Sequence, residues 1–392
     1  MMRVLFVDDE ASLLQAMRRA LHHMRNEWTM EFASSGAAAL ENLAKSPADV
    51  IVSDMRMPGM DGWQLLAEVK VRYPQTVRLI LSGHADASSI MRAVGVAHQY
   101  LAKPCDSSVL KAAITQTLSL RQLLSSDRLA PLAGDVGVLP STPKTFQDML
   151  NCLQRPGVQA VDVARIVARD LAMTANIMKL VNSAFFGVRQ PITSVDGAVR
   201  YLGLDTVGAL VLGDGIFHNQ PVSGIPGFSL ERLWDHSLQT ASAARRIALH
   251  EKLPAHEVEK AYLAGLLHDV GRIVFATKPA AGGGLPTENI WVQMQEHHAE
   301  VGAYLLGLWG FPTPIVQAVA FHDTPCRSAD SHFGLEALIH VADRLTHGLA
   351  SKHADPTQLG IDVELVERLG LAERVHQWWG ILNVTNAAET IQ

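Results

Sequence analysis

The stretch Val50-Ile51-Val52-Ser53-Asp54-Met55-Arg56-Met57-Pro58-Gly59-Met60-Asp61-Gly62 runs from a continuous apolar segment into one aspartate and then a Pro/Gly-rich loop. Apolar runs of this length, bounded by turn signals, read as strands buried on both faces of a parallel sheet. In such sheets ligands and chemistry gather just beyond the carboxyl ends of the strands. Asp54 stands at that place. A lone strand-end aspartate commonly caps the next turn, but here three other stretches converge on it.

Working outward, Val4-Leu5-Phe6-Val7 is a short apolar strand ending on Asp8-Asp9-Glu10, and Leu13, Leu14, Met17, Ala20 and Leu21 follow at helical spacing. Trp28 to Ala33 predicts a second strand and Gly36 to Lys45 a second helix. Beyond the Asp54 strand come a helix around Trp63 to Val71 and the strand Val77-Arg78-Leu79-Ile80-Leu81, which ends on Ser82-Gly83. A weaker helix near Ser88 to Val94 leads to Gln99-Tyr100-Leu101-Ala102, ending on Lys103-Pro104, and a last helix runs from about Asp106 to Leu120. Strands alternating with helices in this way predict a doubly wound α/β domain with a five-stranded parallel sheet. The strand ends then supply three carboxylates, a hydroxyl and an ammonium. Clustered acids repel one another unless a cation sits among them, and Mg²⁺ takes such oxygens. With Mg²⁺ bound, Asp54 can act as a carboxylate nucleophile toward a phosphoryl group, while Lys103 and Ser82 hold the phosphoryl oxygens.

This constellation resembles the receiver domain of two-component response regulators, over residues 1–120. Val7-Asp8-Asp9-Glu10, Ser53-Asp54-Met55-Arg56-Met57-Pro58, Leu81-Ser82-Gly83 and Lys103-Pro104 carry the resemblance. It implies a flavodoxin-like fold, with Asp54 as phosphoacceptor and Asp8, Asp9 and Asp54 around Mg²⁺, helped by the Arg56 carbonyl. It also implies that Ser82 and Tyr100 couple phosphorylation to the output face, and that a sensor histidine kinase or other phosphodonor is the partner.

Residues 121–138 read as a connector and linker: Leu118 to Leu132 can continue the last helix, and Pro131, Gly134, Gly137 and Pro140 break it. Beyond them the alternation stops, and amphipathic helix-length segments predict an all-α domain, residues 139–346, with a helical extension over 347–392. The hydrophobic fraction of 48% with 18% charged residues fits globular domains with ample core. A net charge of -6 and the absence of a dense Lys/Arg cluster argue against a nucleic-acid surface. Three scattered cysteines make no disulfide framework. No apolar run is long enough to span a bilayer, and the chain enters a strand directly, so a cytoplasmic setting is the expectation.

Several stretches of the helical half are similar to the HDOD domain, the HD-related output domain of bacterial signalling proteins. These are Leu139-Pro140-Ser141-Thr142-Pro143, Ile166 to Thr174, Lys179 to Gly187, Ile192 to Gly203, Trp234-Asp235-His236-Ser237, Gly265-Leu266-Leu267-His268-Asp269-Val270-Gly271 and Trp309-Gly310-Phe311-Pro312. The resemblance implies a regulatory output that binds other signalling proteins, on a fold related to HD phosphohydrolases and HD-GYP cyclic di-GMP phosphodiesterases. At the positions that hold metal in those enzymes stand His236, His268, Asp269, His298, His322 and Asp343. Imidazoles plus carboxylates suit Fe, Mn or Zn, and two such metals can activate water for phosphoester hydrolysis. His298 is preferred over His297 because His298-Ala299-Glu300-Val301-Gly302 matches the HD-GYP spacing. Two departures stand against an enzyme: Asp323 replaces the second of two adjacent histidines, and no Gly-Tyr-Pro segment follows. Buried histidines also serve simply as partners of carbonyls. Asp170 and Asn182 read as caps or core hydrogen-bonding groups. Gly282 to Gly284 read as a loose loop. The Trp378-Trp379 pair reads as core, or as a surface for the receiver or for a second subunit in a homodimer.

Overall fold

The computed structural model describes the whole chain except residues 84–94, 122, 127–128, 138, 141–142, 154, 156, 183–190, 205, 209–224, 226, 278–286, 328–331, 352–354 and 390–392. β1 (Met2–Val7), β2 (Trp28–Ala33), β3 (Val50–Asp54), β4 (Val77–Ser82) and β5 (Gln99–Ala102) form one parallel sheet in the order β2-β1-β3-β4-β5. That is the doubly wound, flavodoxin-like order. The connecting helices are α1 (Ala11–Ala20), α2 (Gly36–Lys45) and α3 (Gly62–Arg72), and α4 (Ser107–Arg121) follows β5. The helix expected near Ser88 to Val94 lies outside the described residues, as does the loop at Gly282 to Gly284. β3 and β4 are buried along their whole length, which is why both read as apolar runs.

Register turns the sequence pattern into a cluster. Val7 pairs with Ser53, Asp54 with Leu81, and Ser82 with Ala102. Asp8, Asp54, Ser82 and Lys103 therefore leave the sheet at one edge. The turn after β3 is held by a capping box at the start of α3, where Asp61 accepts from the Gln64 amide and the Gln64 side chain accepts from that of Asp61. Gly62 is required there, because a Cβ would fall 2.0 Å from the Asp54 carbonyl oxygen.

The rest of the described chain is helical. α5 (Ala130–Gly134), α6 (Pro143–Leu153), α7 (Ala160–Val167), α8 (Leu171–Val181) and α9 (Val195–Leu202) come first. α10 (Leu230–His250), α11 (Ala255–Leu267), α12 (Val270–Ala276), α13 (Thr287–Leu308), α14 (Thr313–Phe321) and α15 (Leu335–Ala350) build the main bundle. α16 (Val363–Leu369) and α17 (Ala372–Glu389) close the chain. Asp170 caps α8 by accepting from the Met173 amide, and the Asn182 side chain brackets Ile192 with two backbone hydrogen bonds. Trp378 is fully buried and donates to Glu251, fastening α17 to the end of α10, while Trp379 is only partly buried. No helix among the described residues is long and apolar enough to cross a membrane.

The connector differs from expectation. α4 stops at Arg121 and α5 starts at Ala130, so no single helix spans Leu118 to Leu132. The chain breaks because it is wedged between the two domains. Arg78, fully buried in β4, donates from Nη2 to the Gly134 carbonyl at 2.6 Å, and His98 Nε2 lies 2.9 Å from the same oxygen. From the other side, buried Lys179 on α8 donates to the Gly137 carbonyl at 2.8 Å and sits 4.6 Å over the Trp309 ring. Asn176 exchanges two hydrogen bonds with the Leu139 backbone. Burial lowers the Arg78 guanidinium to about 10 and pushes His98 and Lys179 well below their usual values. Gly134 and Gly137, which read as linker punctuation, are close-approach positions: a Cβ at Gly137 would meet the Gly95 carbonyl oxygen at 1.9 Å. Gly137→Ala should therefore destabilise the two-domain unit by roughly 1–3 kcal/mol, as overpacking does. A thermal midpoint unchanged from wild type would mean that the two backbones are not in contact.

Candidate functional sites

At the sheet edge Lys103 Nζ lies 2.7 Å from Asp8 Oδ2 and 2.7 Å from Asp54 Oδ1. Asp8 accepts from the Glu10 amide, which aims its carboxylate. Oxygens of Asp8, Asp9 and Asp54 lie within 4.8 Å of one another. Asp8 and Asp54 are buried, and Asp9 is exposed. Burial raises the Asp54 carboxyl above its usual range despite the pull of Lys103. Burial lowers the Lys103 ammonium, but hydrogen bonds and charge from Asp54 and Asp8 outweigh it and hold Lys103 above its ordinary value. Three carboxylates against one ammonium leave a net negative pocket whose oxygens suit a divalent cation such as Mg²⁺. Ser82 ends β4 at the same edge, its hydroxyl 3.2 Å from the Gly83 carbonyl. Tyr100 is buried in β5, and among the described residues its hydroxyl has no hydrogen-bond partner. Burial drives its pKa well up.

The second cluster gathers from six helices and their ends. His236 projects from α10. His268 caps the end of α11, Asp269 precedes α12, His298 lies on α13, His322 caps the end of α14, and Asp343 lies on α15. Two carboxylates act as hubs. Asp269 Oδ1 is 3.0 Å from His298 Nε2 and 3.9 Å from His322 Nε2, while its Oδ2 is 3.6 Å from His268 Nε2. Asp343 Oδ1 is 2.9 Å from His236 Nε2 and 3.5 Å from His268 Nε2.

The inner histidines share a hydrogen-bonding pattern. His268 Nδ1 is 2.7 Å from the Gly265 carbonyl, His298 Nδ1 3.0 Å from that of Met294, and His322 Nδ1 2.7 Å from that of Val319. A carbonyl only accepts, so each Nδ1 carries a proton, and each ring turns its Nε2 inward. His298 Nε2 and His322 Nε2 face each other at 3.3 Å. Two ring nitrogens so placed can share a proton or a metal, and helix carbonyls orienting Nδ1 are how ligating imidazoles are held. Burial lowers His268, yet the charges of Asp269 and Asp343 raise it to about 9. His322 is depressed to about 4 by burial and by the charge of His268. Burial opposes ionisation of Asp269 and Asp343, but the surrounding imidazoles hold both well below the carboxylate range. The donor set of imidazole nitrogens and carboxylate oxygens fits Fe, Mn or Zn.

A family model described as the response regulator receiver domain matches residues 4–115, and one described as the HDOD domain matches residues 139–325. The chain is a receiver–HDOD response regulator. Among the relatives of this response regulator, an uncharacterized protein of Treponema pallidum is 25% identical over 228 residues, covering 55% of this chain and 44% of that protein. The DNA-binding transcriptional regulator NtrC of Escherichia coli K12 is 32% identical over 158 residues, 40% of this chain and 33% of its own length. The chain thus spans less than half the length of either. Among solved structures, the MmoQ response regulator of Methylococcus capsulatus is 25% identical, covers 59% of this chain and 98% of its own, and has a TM-score of 0.46.

Of the site residues expected from the sequence, Asp8, Asp9, Asp54, Ser82 and Lys103 meet at the sheet edge and His236, His268, Asp269, His298, His322 and Asp343 in the helical cluster, while Tyr100 lies within β5. His297 turns away from the metal-type cluster, bonding Glu300 on its own helix. Two members escaped the sequence reading. Asp323 Oδ2 is 3.3 Å from His298 Nε2 and 3.6 Å from His322 Nε2, while its Oδ1 accepts from Arg344. What read as a departure places a carboxylate oxygen beside the same two nitrogens. His347 Nε2 is 3.4 Å from Asp343 Oδ1, and its only sequence signal was the four-residue spacing from Asp343. The cluster also explains Gly271: a Cβ there would meet the His298 carbonyl oxygen at 2.0 Å, so glycine lets α12 and α13 touch and brings His298 to Asp269.

Proposed function

We propose that phosphorylation of Asp54 controls a metal-dependent phosphohydrolase site in the HDOD domain, with a cyclic dinucleotide such as cyclic di-GMP as the first substrate class to test. The observation that carries this reading is the convergence of imidazole Nε2 atoms on the two buried carboxylates Asp269 and Asp343. His236, His268, Asp269 and Asp343 would hold one ion, and Asp269, His298, His322 and Asp323 a second. When bound, such ions polarise a phosphoryl oxygen and lower the pKa of water. The residues themselves fix the donors: carbonyls of α11, α13 and α14 orient the rings, and Arg272, with Nε 2.8 Å from Asp269 Oδ1, and Arg344 balance the carboxylates.

In the receiver, Asp54 is the nucleophile toward a phosphohistidine or another phosphodonor. Asp8, Asp9 and Asp54 would hold Mg²⁺ with the Arg56 carbonyl, and Lys103 and Ser82 meet the phosphoryl oxygens. Lys103 must leave its present pairing to do so. That rearrangement reaches the output domain through β4 and β5, whose Arg78 and Gln99 lie against the wedge and against Gly310. Helix α13 is the shared element. Its Glu300 accepts from Ser125, its Gly307 packs on Leu120, and its His298 belongs to the metal-type cluster. Phosphorylation that biases one arrangement of α13 biases the site.

The second reading, output by docking another signalling protein, is favoured by the enclosure of His298 and His322, which are almost fully buried and fit an ion held for structure. Elemental analysis of purified protein, with cyclic dinucleotide hydrolysis measured in Mn²⁺ and Fe²⁺ before and after phosphorylation of Asp54, separates them. Bound metal with phosphorylation-dependent turnover supports the enzyme. Bound metal without turnover leaves the docking output.

A further inference from the structure

The metal-type donors form more than one nest. Besides the groups His236–His268–Asp269 and Asp269–His298–His322, the ligand atoms of His236, Asp343 and His347 also lie within 4.8 Å of one another. Asp343 Oδ1 is 2.9 Å from His236 Nε2 and 3.4 Å from His347 Nε2, and the two rings lie 4.4 Å apart. Metal–nitrogen and metal–oxygen bonds of about 2.0–2.1 Å separate neighbouring donors by roughly 3 Å in an octahedral shell and roughly 3.4 Å in a tetrahedral one. Both observed separations suit a common ion.

The outer nest shares His236 with an inner one, and it shares Asp343 with the first ion position proposed above. An imidazole nitrogen has one in-plane lone pair and binds one ion at a time. Two divalent ions drawing on the same His236 and Asp343 side chains would also repel each other, so the nests serve as alternative positions for a single ion. They also differ in access. The His347 side chain is 58% exposed and that of His236 18%, whereas His268 and Asp269 are at 1% and 5%. A buried site needs a route by which its ion arrives, and these donors run stepwise from solvent to interior.

We propose that His347, with Asp343 and His236, forms an outer transit position for a first-row divalent ion such as Zn²⁺, Mn²⁺ or Fe²⁺. His236 passes the ion to His268 and Asp269. The inference rests on the metal-binding reading of the inner cluster. The alternative is that His347 is only a surface histidine one helical turn from Asp343. A transit position changes how fast the ion enters and leaves, but not how many ions are held or how tightly.

The test uses the full chain stripped by a chelator and mixed with Zn²⁺ or Co²⁺. Uptake is followed against a metal-indicator dye or by cobalt absorption, release by excess chelator, and final content by elemental analysis. His347→Ala should slow both uptake and release by roughly tenfold, the scale on which partners of bound metals act, with unchanged content at saturation. His347→Asp should restore much of the rate. Since His347 lies at the surface, neither change disturbs the fold. Wild-type rates in His347→Ala would overturn the transit role while leaving the inner metal reading intact. A lower metal content at saturation would also overturn it, by making His347 a permanent ligand. A wild-type chain that takes up no ion would overturn the inner reading, and the transit position with it.

Discussion

Asp269→Asn is expected to reduce the metal content of the purified protein to background. Asp269 is the hub that both inner donor groups share: its two oxygens face His268 on one side and His298 and His322 on the other. The amide keeps the shape but removes the negative charge and turns one ligating oxygen into a donor nitrogen. Three imidazoles then surround a neutral group, and an incoming divalent cation loses the negative charge that would bind it directly. Outer-shell partners of bound metals are already worth about 10–100-fold in affinity, so a bridging ligand should exceed about 100-fold. Elemental analysis checks the loss, and far-ultraviolet circular dichroism checks that the helices remain. Full metal content in the folded variant would show that ions, if present, sit elsewhere. Loss of metal together with loss of any phosphoester hydrolysis would support the enzymatic reading. Loss of metal with a partner interaction intact would support the docking one.

Asp54→Asn should abolish phosphorylation by a small-molecule phosphodonor in the presence of Mg²⁺. The carboxylate is the nucleophile, and an amide oxygen is too weak a base to form the acyl phosphate. Lys103→Ala should retain the nucleophile but lose the ammonium that bridges Asp8 and Asp54. Removal of one preorganised charge-stabilising group costs about 10²–10³ in rate, so this variant should be slow rather than dead. Intact-mass analysis of the +80 Da adduct, roughly one phosphoryl group per chain, separates the two variants. A labelled Asp54→Asn chain would place the phosphoacceptor elsewhere. Because the wedge at residues 129–140 links both domains, the wild-type adduct should also alter exposure around Ser125 and Gly137. Amide hydrogen exchange would read that change.

The strand ends were legible from the linear order, and for a physical reason, whereas the six metal-type residues were picked out by the resemblance to HD proteins. In a parallel sheet successive strands run the same way, so residues just past each apolar run meet at one edge whatever lies between. Asp8, Asp54, Ser82 and Lys103 needed no knowledge of packing to be placed together. On the helices, positions beside an apolar stripe face the bundle, which favoured an inward direction for His236, His322 and Asp343. Helical phase did not choose between His297 and His298, and the HD-GYP spacing did.

Distances between elements lie outside that logic. Arg78 reads as an oddity inside an apolar strand until the carbonyl of Gly134, 56 residues later, is laid against its guanidinium. Gly134 and Gly137 looked like breaks in a linker, and only the approach of the Pro74 and Gly95 backbones makes them contacts. Asp323 and His347 could not be read as donors because their meaning depends on which neighbouring helices supply His298 and Asp343, and at what separation. Local periodicity states which side of an element is inward. The crossing of helices, set by contacts of long sequence separation, states which inward groups meet.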